Sequence, residues 1–351
     1  MGRKTKILSF LLMVSVLLVS AGCEKLQPGY YLTPGHVPTQ PPTQTDVPTP
    51  VTPSPTPVST VWVIGTPTLT PLPPPTLTPT PSPTLAPSPT NTIPPCEETE
   101  GQIVYHSFIS QLTGREFHYR VYLPPCYSVA GRRYPYLIML HGLGQGMDDS
   151  QWDRMGLDEA ADLGYARGAL PPMIIVMPNG NDAEHYMDNG PYPELIVREL
   201  MPAVEAGFCV WADSSHRAIG GLSRGGYWAF WIAFSHPDLF DRLGGHSPYF
   251  YDADYPSDFN PNNLVDTAPG IERLSIYLDM GAQDTIVDVG VHDFVRRLRR
   301  RGIEPEYVIN PVGDHTEVYW SAHTADYLAF YAADWPRDVS QFPACEAASA
   351  P

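Results

Sequence analysis

Gly221-Leu222-Ser223-Arg224-Gly225 lies between two apolar runs. Arg217-Ala218-Ile219-Gly220 ahead of it reads as a strand, and Tyr227 to Phe234 behind it reads as a helix. A serine on a sharp strand-to-helix turn is lifted from the backbone with its hydroxyl exposed. The flanking glycines omit Cβ atoms that would clash in so tight a turn. The stretch therefore predicts an α/β protein with Ser223 as a nucleophile. A G-x-S-x-G pattern arises by chance in about one chain in ten of this size, so its weight depends on partners elsewhere.

Working outward, strand-like alternation marks 103–109 and 117–123, where Pro124-Pro125 ends the second run. Tyr136 to Leu140 and Met173 to Met177 read as buried strands, with a helix over 153–164 between them. Leu195, Ile196, Leu200 and Val204 line one face of a further helix. Beyond the serine turn come a strand at Ser275 to Leu278, an arginine-bearing helix, a strand at Glu306 to Ile309 and a closing helix from about Glu317. Strands that alternate with helices predict a mostly parallel sheet covered on both faces. Sites in such sheets assemble on the loops at the carboxyl ends of the strands.

A serine hydroxyl needs a base to take its proton, and that base needs a carboxylate to orient it. Asp284 follows the strand ending near Met280, and His315 follows the strand ending near Asn310. Asp279 inside a strand, Asp288 at a helix start and His323 within the last helix compete for these roles. Position at a strand end favours Asp284 and His315. The order Ser, Asp, His is that of the α/β-hydrolase fold. Acyl transfer also needs donors aimed at a developing oxyanion. The backbone N–H of Arg224, next to the serine, and that of Leu143, in the loop His141-Gly142-Leu143-Gly144, are the candidates. His141 itself suits loop structuring.

Other chemistries are excluded by what the chain omits. No lysine follows Lys25, which removes Schiff-base and PLP chemistry, a P-loop, a kinase-type clamp and a Ser-Lys dyad. No H-E-x-x-H or close cysteine pair points to a metal, and Asp182, Glu184 and His185 read as an incidental polar loop. No metal is expected. A net charge of -17 argues against nucleic acid as a partner. The arginines at 296, 297 and 299–301 alternate with Val291, Phe294, Val295 and Leu298, as on the solvated face of an amphipathic helix.

At the amino terminus, Arg3, Lys4 and Lys6 precede an apolar run from Ile7 to Val19 and then Ser20-Ala21-Gly22-Cys23. The run is shorter than the roughly 20 residues of a membrane span. It resembles a bacterial lipoprotein signal peptide over 1–22 with Cys23 lipidated, although Ser20 stands where such signals usually carry Leu. Residues 23–95 are expected to be a disordered tether. From Leu32 to Pro95 the chain holds about half of its 41 prolines, is dense in threonine and has one charged residue, Asp46. Extended polyproline geometry would give it a reach of roughly 200 Å. The apolar island Val61-Trp62-Val63-Ile64 reads as an isolated sticky patch. Residues 96–335 have the size of one α/β domain, followed by a tail over 336–351. With Cys23 assigned to lipid, four cysteines of an exported chain predict two disulfides. Three connectivities are open. Closure of the domain ends favours Cys96 with Cys345, leaving Cys126 with Cys209.

The loop His141-Gly142-Leu143-Gly144 with Trp152, the turn Pro178-Asn179-Gly180, Glu199-Leu200-Met201-Pro202, the serine motif through Gly226, and His315 with Trp320 come in an order that resembles the Putative esterase family. That family holds feruloyl and acetyl-xylan esterases, S-formylglutathione hydrolases, antigen 85 mycolyltransferases and enterochelin esterase relatives. The resemblance covers about 103–332. It implies a Ser223-Asp284-His315 triad, two-step hydrolysis through an acyl-serine, and no cofactor. Export on a tether favours an extracellular ester, such as an acyl or feruloyl group on polysaccharide, reached from a membrane anchor at the cell surface or in the periplasm. A siderophore esterase, an antigen 85-like acyltransferase and an idle surface-binding domain are the alternatives. Trp152, Tyr186, Tyr192, Tyr249 and Tyr251 are candidates for an aromatic pocket, and most read as packing residues.

Overall fold

The computed structural model describes residues 96–144, 146–180, 191–251 and 260–345. The expected signal, Cys23, the tether, the Asp182-Glu184-His185 cluster and Tyr186 lie outside the described residues.

Eight strands form one sheet: β1 Gln102–Ile109, β2 Glu116–Leu123, β3 Tyr136–Leu140, β4 Ile174–Pro178, β5 Arg217–Leu222, β6 Arg242–His246, β7 Ser275–Gly281 and β8 Glu306–Asn310. Their order is β1-β2-β4-β3-β5-β6-β7-β8. β1 pairs antiparallel with β2, and β2 antiparallel with β4. From β4 to β8 every pairing is parallel. The sheet is therefore mixed and mostly parallel, as the α/β-hydrolase fold requires.

Strand residues alternate strictly between two cores. In β3, Tyr136, Ile138 and Leu140 enter one apolar layer, while Leu137 and Met139 enter the other. Residues 192–207 and the helices α1 Arg224–Ser235 and α2 Asp288–Arg300 cover the first face. The helices α3 Glu317–Ala322 and α4 Thr324–Tyr331, with the helical segment Leu157–Ala166, cover the second. α1 is apolar all round because it is buried along almost its whole length. In α2, Val291, Phe294, Val295 and Leu298 are buried, and its arginines pair outward, Arg297 with Asp266 at 2.5 Å and Arg299 with Glu304 at 2.6 Å. The helical run of 192–207 passes through a π-turn at Ile196–Leu200, just before Pro202. A proline there has no N–H to give to the turn behind it, and the widened turn accommodates that gap.

The sequence pattern contains no strand between α1 and β7, yet β6 lies there inside the sheet, between β5 and β7. Its residues, Arg-Leu-Gly-Gly-His, carry one aliphatic side chain and no alternation, so the usual signal is absent. A Cβ on Gly244 would lie 2.0 Å from the Tyr331 hydroxyl, so the glycine makes room for a helix packed directly on the strand.

The disulfides are Cys96–Cys126 and Cys209–Cys345, which corrects the expected pairing of Cys96 with Cys345 and Cys126 with Cys209. The reason is local. β1 lies beside β2, so the chain just before β1 reaches Cys126, whose N–H donates to Glu98 at 2.7 Å. The bridge between Tyr134 and Val210 brings Cys209 to the 131–134 segment, and Ala344 bridges to Arg132 in that same segment. Residues 336–345, expected as a tail, are thereby packed onto the domain, with Phe342 buried in the core.

Candidate active site

The turn after β5 holds Ser223 at φ 50° and ψ -113°, a left-handed value rare for a residue with a side chain. The surroundings hold it there. Its N–H donates to the His246 carbonyl at 2.9 Å, and its carbonyl accepts from Tyr227 at 3.1 Å and Tyr249 at 3.0 Å. A Cβ on Gly221 would come within 2.5 Å of the Gly225 backbone, and one on Gly225 within 2.3 Å of the Leu140 carbonyl. Both glycines are required by this close approach of strand, turn and helix.

His315, in the loop after β8, presents Nε2 to the Ser223 hydroxyl at 2.9 Å and Nδ1 to Asp284 Oδ2 at 2.9 Å. Because an ionised carboxylate only accepts, Nδ1 carries the proton and Nε2 is the acceptor facing serine. The Asp284 side chain is fully buried, and its other oxygen accepts the Ile286 N–H at 3.2 Å. Trp320 meets the His315 ring edge to face at 5.0 Å. Three residues from three strand ends thus form one hydrogen-bonded chain. The competitors point elsewhere. Asp279 pairs with His246 in the core, Asp288 accepts the N–H of its neighbour Val289, and His323 pairs with Asp326.

The Leu143 loop leaves the end of β3 on the same side of the sheet. His141, buried before it, donates from Nδ1 to the Gly142 carbonyl and accepts the Gly180 N–H at Nε2, both at 2.6 Å. Burial pushes its pKa down to about 4, which suits a ring acting as an acceptor. The Gly142 N–H donates to the buried Gln151 at 2.8 Å, and Gln151 in turn donates to Glu317 at 3.0 Å. Gln151 therefore fixes the loop. Sequence reasoning missed it, and nothing in the pattern around it separates it from a surface glutamine. Arg224 opens α1, with its guanidinium 5.6 Å from the Tyr249 ring centre.

Of the aromatic candidates, Trp152 and Tyr192 are core residues, Trp152 donating to the Leu140 carbonyl at 3.1 Å. Tyr249 and Tyr251 stand together, ring centres 4.9 Å apart, beside the serine turn. A cavity of about 810 Å³ is lined by Val312, Val318 and Tyr319 from the segments flanking His315, and Ser223 does not line it. Among the described residues, the group with metal-ligand spacing is Cys96, Glu98 and Cys126, whose sulfurs are spent in a disulfide.

Fold and site together define an esterase-type α/β-hydrolase. The chain belongs to the Putative esterase family, whose model matches residues 110–333. It is 31% identical over 157 residues to Esterase Rv1288 of Mycobacterium tuberculosis, covering 43% of this chain and 33% of that protein. It is 27% identical over 231 residues to an endo-1,4-beta-xylanase/feruloyl esterase of Xylanibacter ruminicola, covering 63% of this chain and 30% of the relative. The chain thus spans about a third of the length of these curated relatives. A solved ferulic acid esterase shares the fold, with a TM-score of 0.61 and 24% identity over 67% of this chain and 98% of its own. The FphF serine hydrolase of Staphylococcus aureus does so with a TM-score of 0.58 and 20% identity, over 67% of this chain and all of its own.

Proposed function

We propose that the protein is an exported serine esterase in which Ser223 attacks a carboxylic ester, His315 takes and returns the proton, and Asp284 orients His315. The hydrogen-bonded chain from the Ser223 hydroxyl through His315 to Asp284 carries this reading. In the first step the Ser223 oxygen bonds to the acyl carbon while its proton passes to His315 Nε2. That proton then goes to the departing alcohol, leaving an acyl-serine. Water repeats the sequence and releases the acid. The backbone N–H groups of Leu143, in the loop after β3, and of Arg224, next to the serine in the chain, are the oxyanion donors in this scheme.

The substrate we favour is an acyl or feruloyl ester of a polysaccharide, a reading supported by the relative named a feruloyl esterase. Export over 1–22, lipidation at Cys23 and a tether to residue 95 belong to the same proposal, as does a domain over 96–335. The two disulfides accord with an oxidising compartment outside the cytoplasm. Among the described residues, no helix is long and apolar enough to cross a membrane. The test is turnover of p-nitrophenyl butyrate by the full chain and by Ser223→Ala. The variant should lose about 10⁴-fold or more in kcat, and unchanged turnover would overturn the assignment. Methyl ferulate, acetylated xylan and a catecholate siderophore then rank the substrate classes, and product formed only with an added alcohol acceptor would mark a transferase.

A further inference from the structure

One strand away from the serine turn, a second histidine and aspartate lie wholly inside the protein. His246 ends β6 and Asp279 stands opposite it in β7, both 0% exposed. His246 Nδ1 donates to Asp279 Oδ1 at 2.8 Å. The hydroxyls of Tyr319 and Tyr327 donate to Oδ2 at 2.5 and 3.0 Å, and the Tyr331 hydroxyl faces His246 Nε2 at 3.0 Å. The Tyr327 ring stacks on His246 at 3.6 Å, and Trp152 meets that histidine edge to face. Burial and the nearby carboxylate hold the Tyr319 and Tyr327 hydroxyls well above the usual phenol range, so both stay protonated and donate. Both carboxylate oxygens have donors, as a carboxylate in this setting requires.

The cluster is connected to all three segments that carry the site. The His246 carbonyl accepts the Ser223 N–H, and the Asp279 carbonyl accepts the Ser247 N–H at 2.8 Å. Five residues beyond Asp279, its own strand delivers Asp284. Tyr319, four residues beyond His315, also accepts at its hydroxyl from Asn310 Nδ2 at 2.8 Å, and the Asn310 carbonyl takes the Ala282 N–H at 2.8 Å in the Asp284 turn. A core of aliphatic side chains would cover these strands at less desolvation cost. What a satisfied polar centre adds is direction, because each hydrogen bond fixes an angle as well as a distance.

We infer that Asp279, through His246 and Tyr319, is a positioning residue that sets the mutual placement of Ser223, Asp284 and His315. It touches neither substrate nor reacting atoms and acts through two strands and α3. The inference rests on the reading of those three residues as the reacting set. Tyr319→Phe keeps the ring and removes the donor that joins Asp279 to the segment behind His315. Tyr122→Phe is the comparison, since Tyr122 is as buried as Tyr319 and its hydroxyl donates to a carboxylate, the partly buried Asp162 at 2.6 Å, near the amino ends of the parallel strands. In the full chain, Tyr319→Phe should lower kcat for p-nitrophenyl butyrate about 10- to 100-fold with KM unchanged. Labelling of Ser223 by a fluorophosphonate should slow by the same factor, while Tyr122→Phe should lose stability to urea and retain kcat. Wild-type kcat in Tyr319→Phe would overturn the inference, as would loss of kcat in both variants in step with their stability. Should Tyr319→Phe not fold, Tyr327→Phe, which removes the other Oδ2 donor, is read by the same criteria. A wild-type chain that neither hydrolyses the ester nor takes up the fluorophosphonate would overturn the reading of the site itself, and the inference with it.

Discussion

His141 shows how one side chain couples site geometry to pH. It is buried, accepts the Gly180 N–H, and has a pKa held down to about 4 against an ordinary value of 6.5. Between those two values the unfolded chain binds a proton that the folded chain refuses. The contribution of His141 to stability is therefore full above about pH 6.5, falls as pH drops toward 4 and levels off below that. The loss over this window is about 3 kcal/mol. In His141→Asn, urea unfolding across that range should show a flatter dependence on pH, and an unchanged slope would contradict the assignment. At this scale much of the candidate site was legible. Ser223, Asp284 and His315 each follow an apolar run whose end is visible in the sequence, and the structure brings them into contact. Asp279 and His246 were not legible as a pair, because their meeting depends on the register of two strands, one of them unseen. Gln151 escaped because its burial comes from the fold around it.

Elements were legible where they carried a period. α2 announced itself through Val291, Phe294, Val295 and Leu298, and β3 and β4 through unbroken aliphatic runs between turn residues. β6 carried none, since its side chains were chosen by what packs on it. The Tyr331 hydroxyl is the nearest atom to a Cβ built on either Gly220 or Gly244, at 1.6 and 2.0 Å. Gly244→Ala should therefore destabilise the protein by about 1–3 kcal/mol. The penalty should shrink in a Tyr331→Phe background, where the clashing oxygen is gone. Urea unfolding of the four members of this cycle measures the coupling, and strict additivity would show that the close approach does not set the cost.

For the molecule as a whole, the two disulfides gather at one end. Cys126 follows β2 at the amino ends of the parallel strands, and Cys209 precedes the bridge that leads into β3. Loop-closure entropy over separations of 30 and 136 residues gives about 4 and about 5 kcal/mol. Replacing both cysteines of the Cys209–Cys345 pair by serine should thus lower the denaturation midpoint more than replacing the Cys96–Cys126 pair. Neither should change kcat on a small ester, because the serine turn lies at the other end of the strands. A fall in kcat in either variant below its unfolding midpoint would contradict this separation. The pairing was beyond the sequence because it depends on how strands and the 131–134 segment lie side by side.

The same arrangement has a mechanical side. Cys96 is covalently bonded to Cys126, so a force applied at Cys96 passes at once into the β1–β2 pair. That pair is the flank of the sheet farthest from β7 and β8, which deliver Asp284 and His315. A pull applied at Cys96 would be absorbed at a clamped corner, leaving the loops around Ser223 off the path of the force.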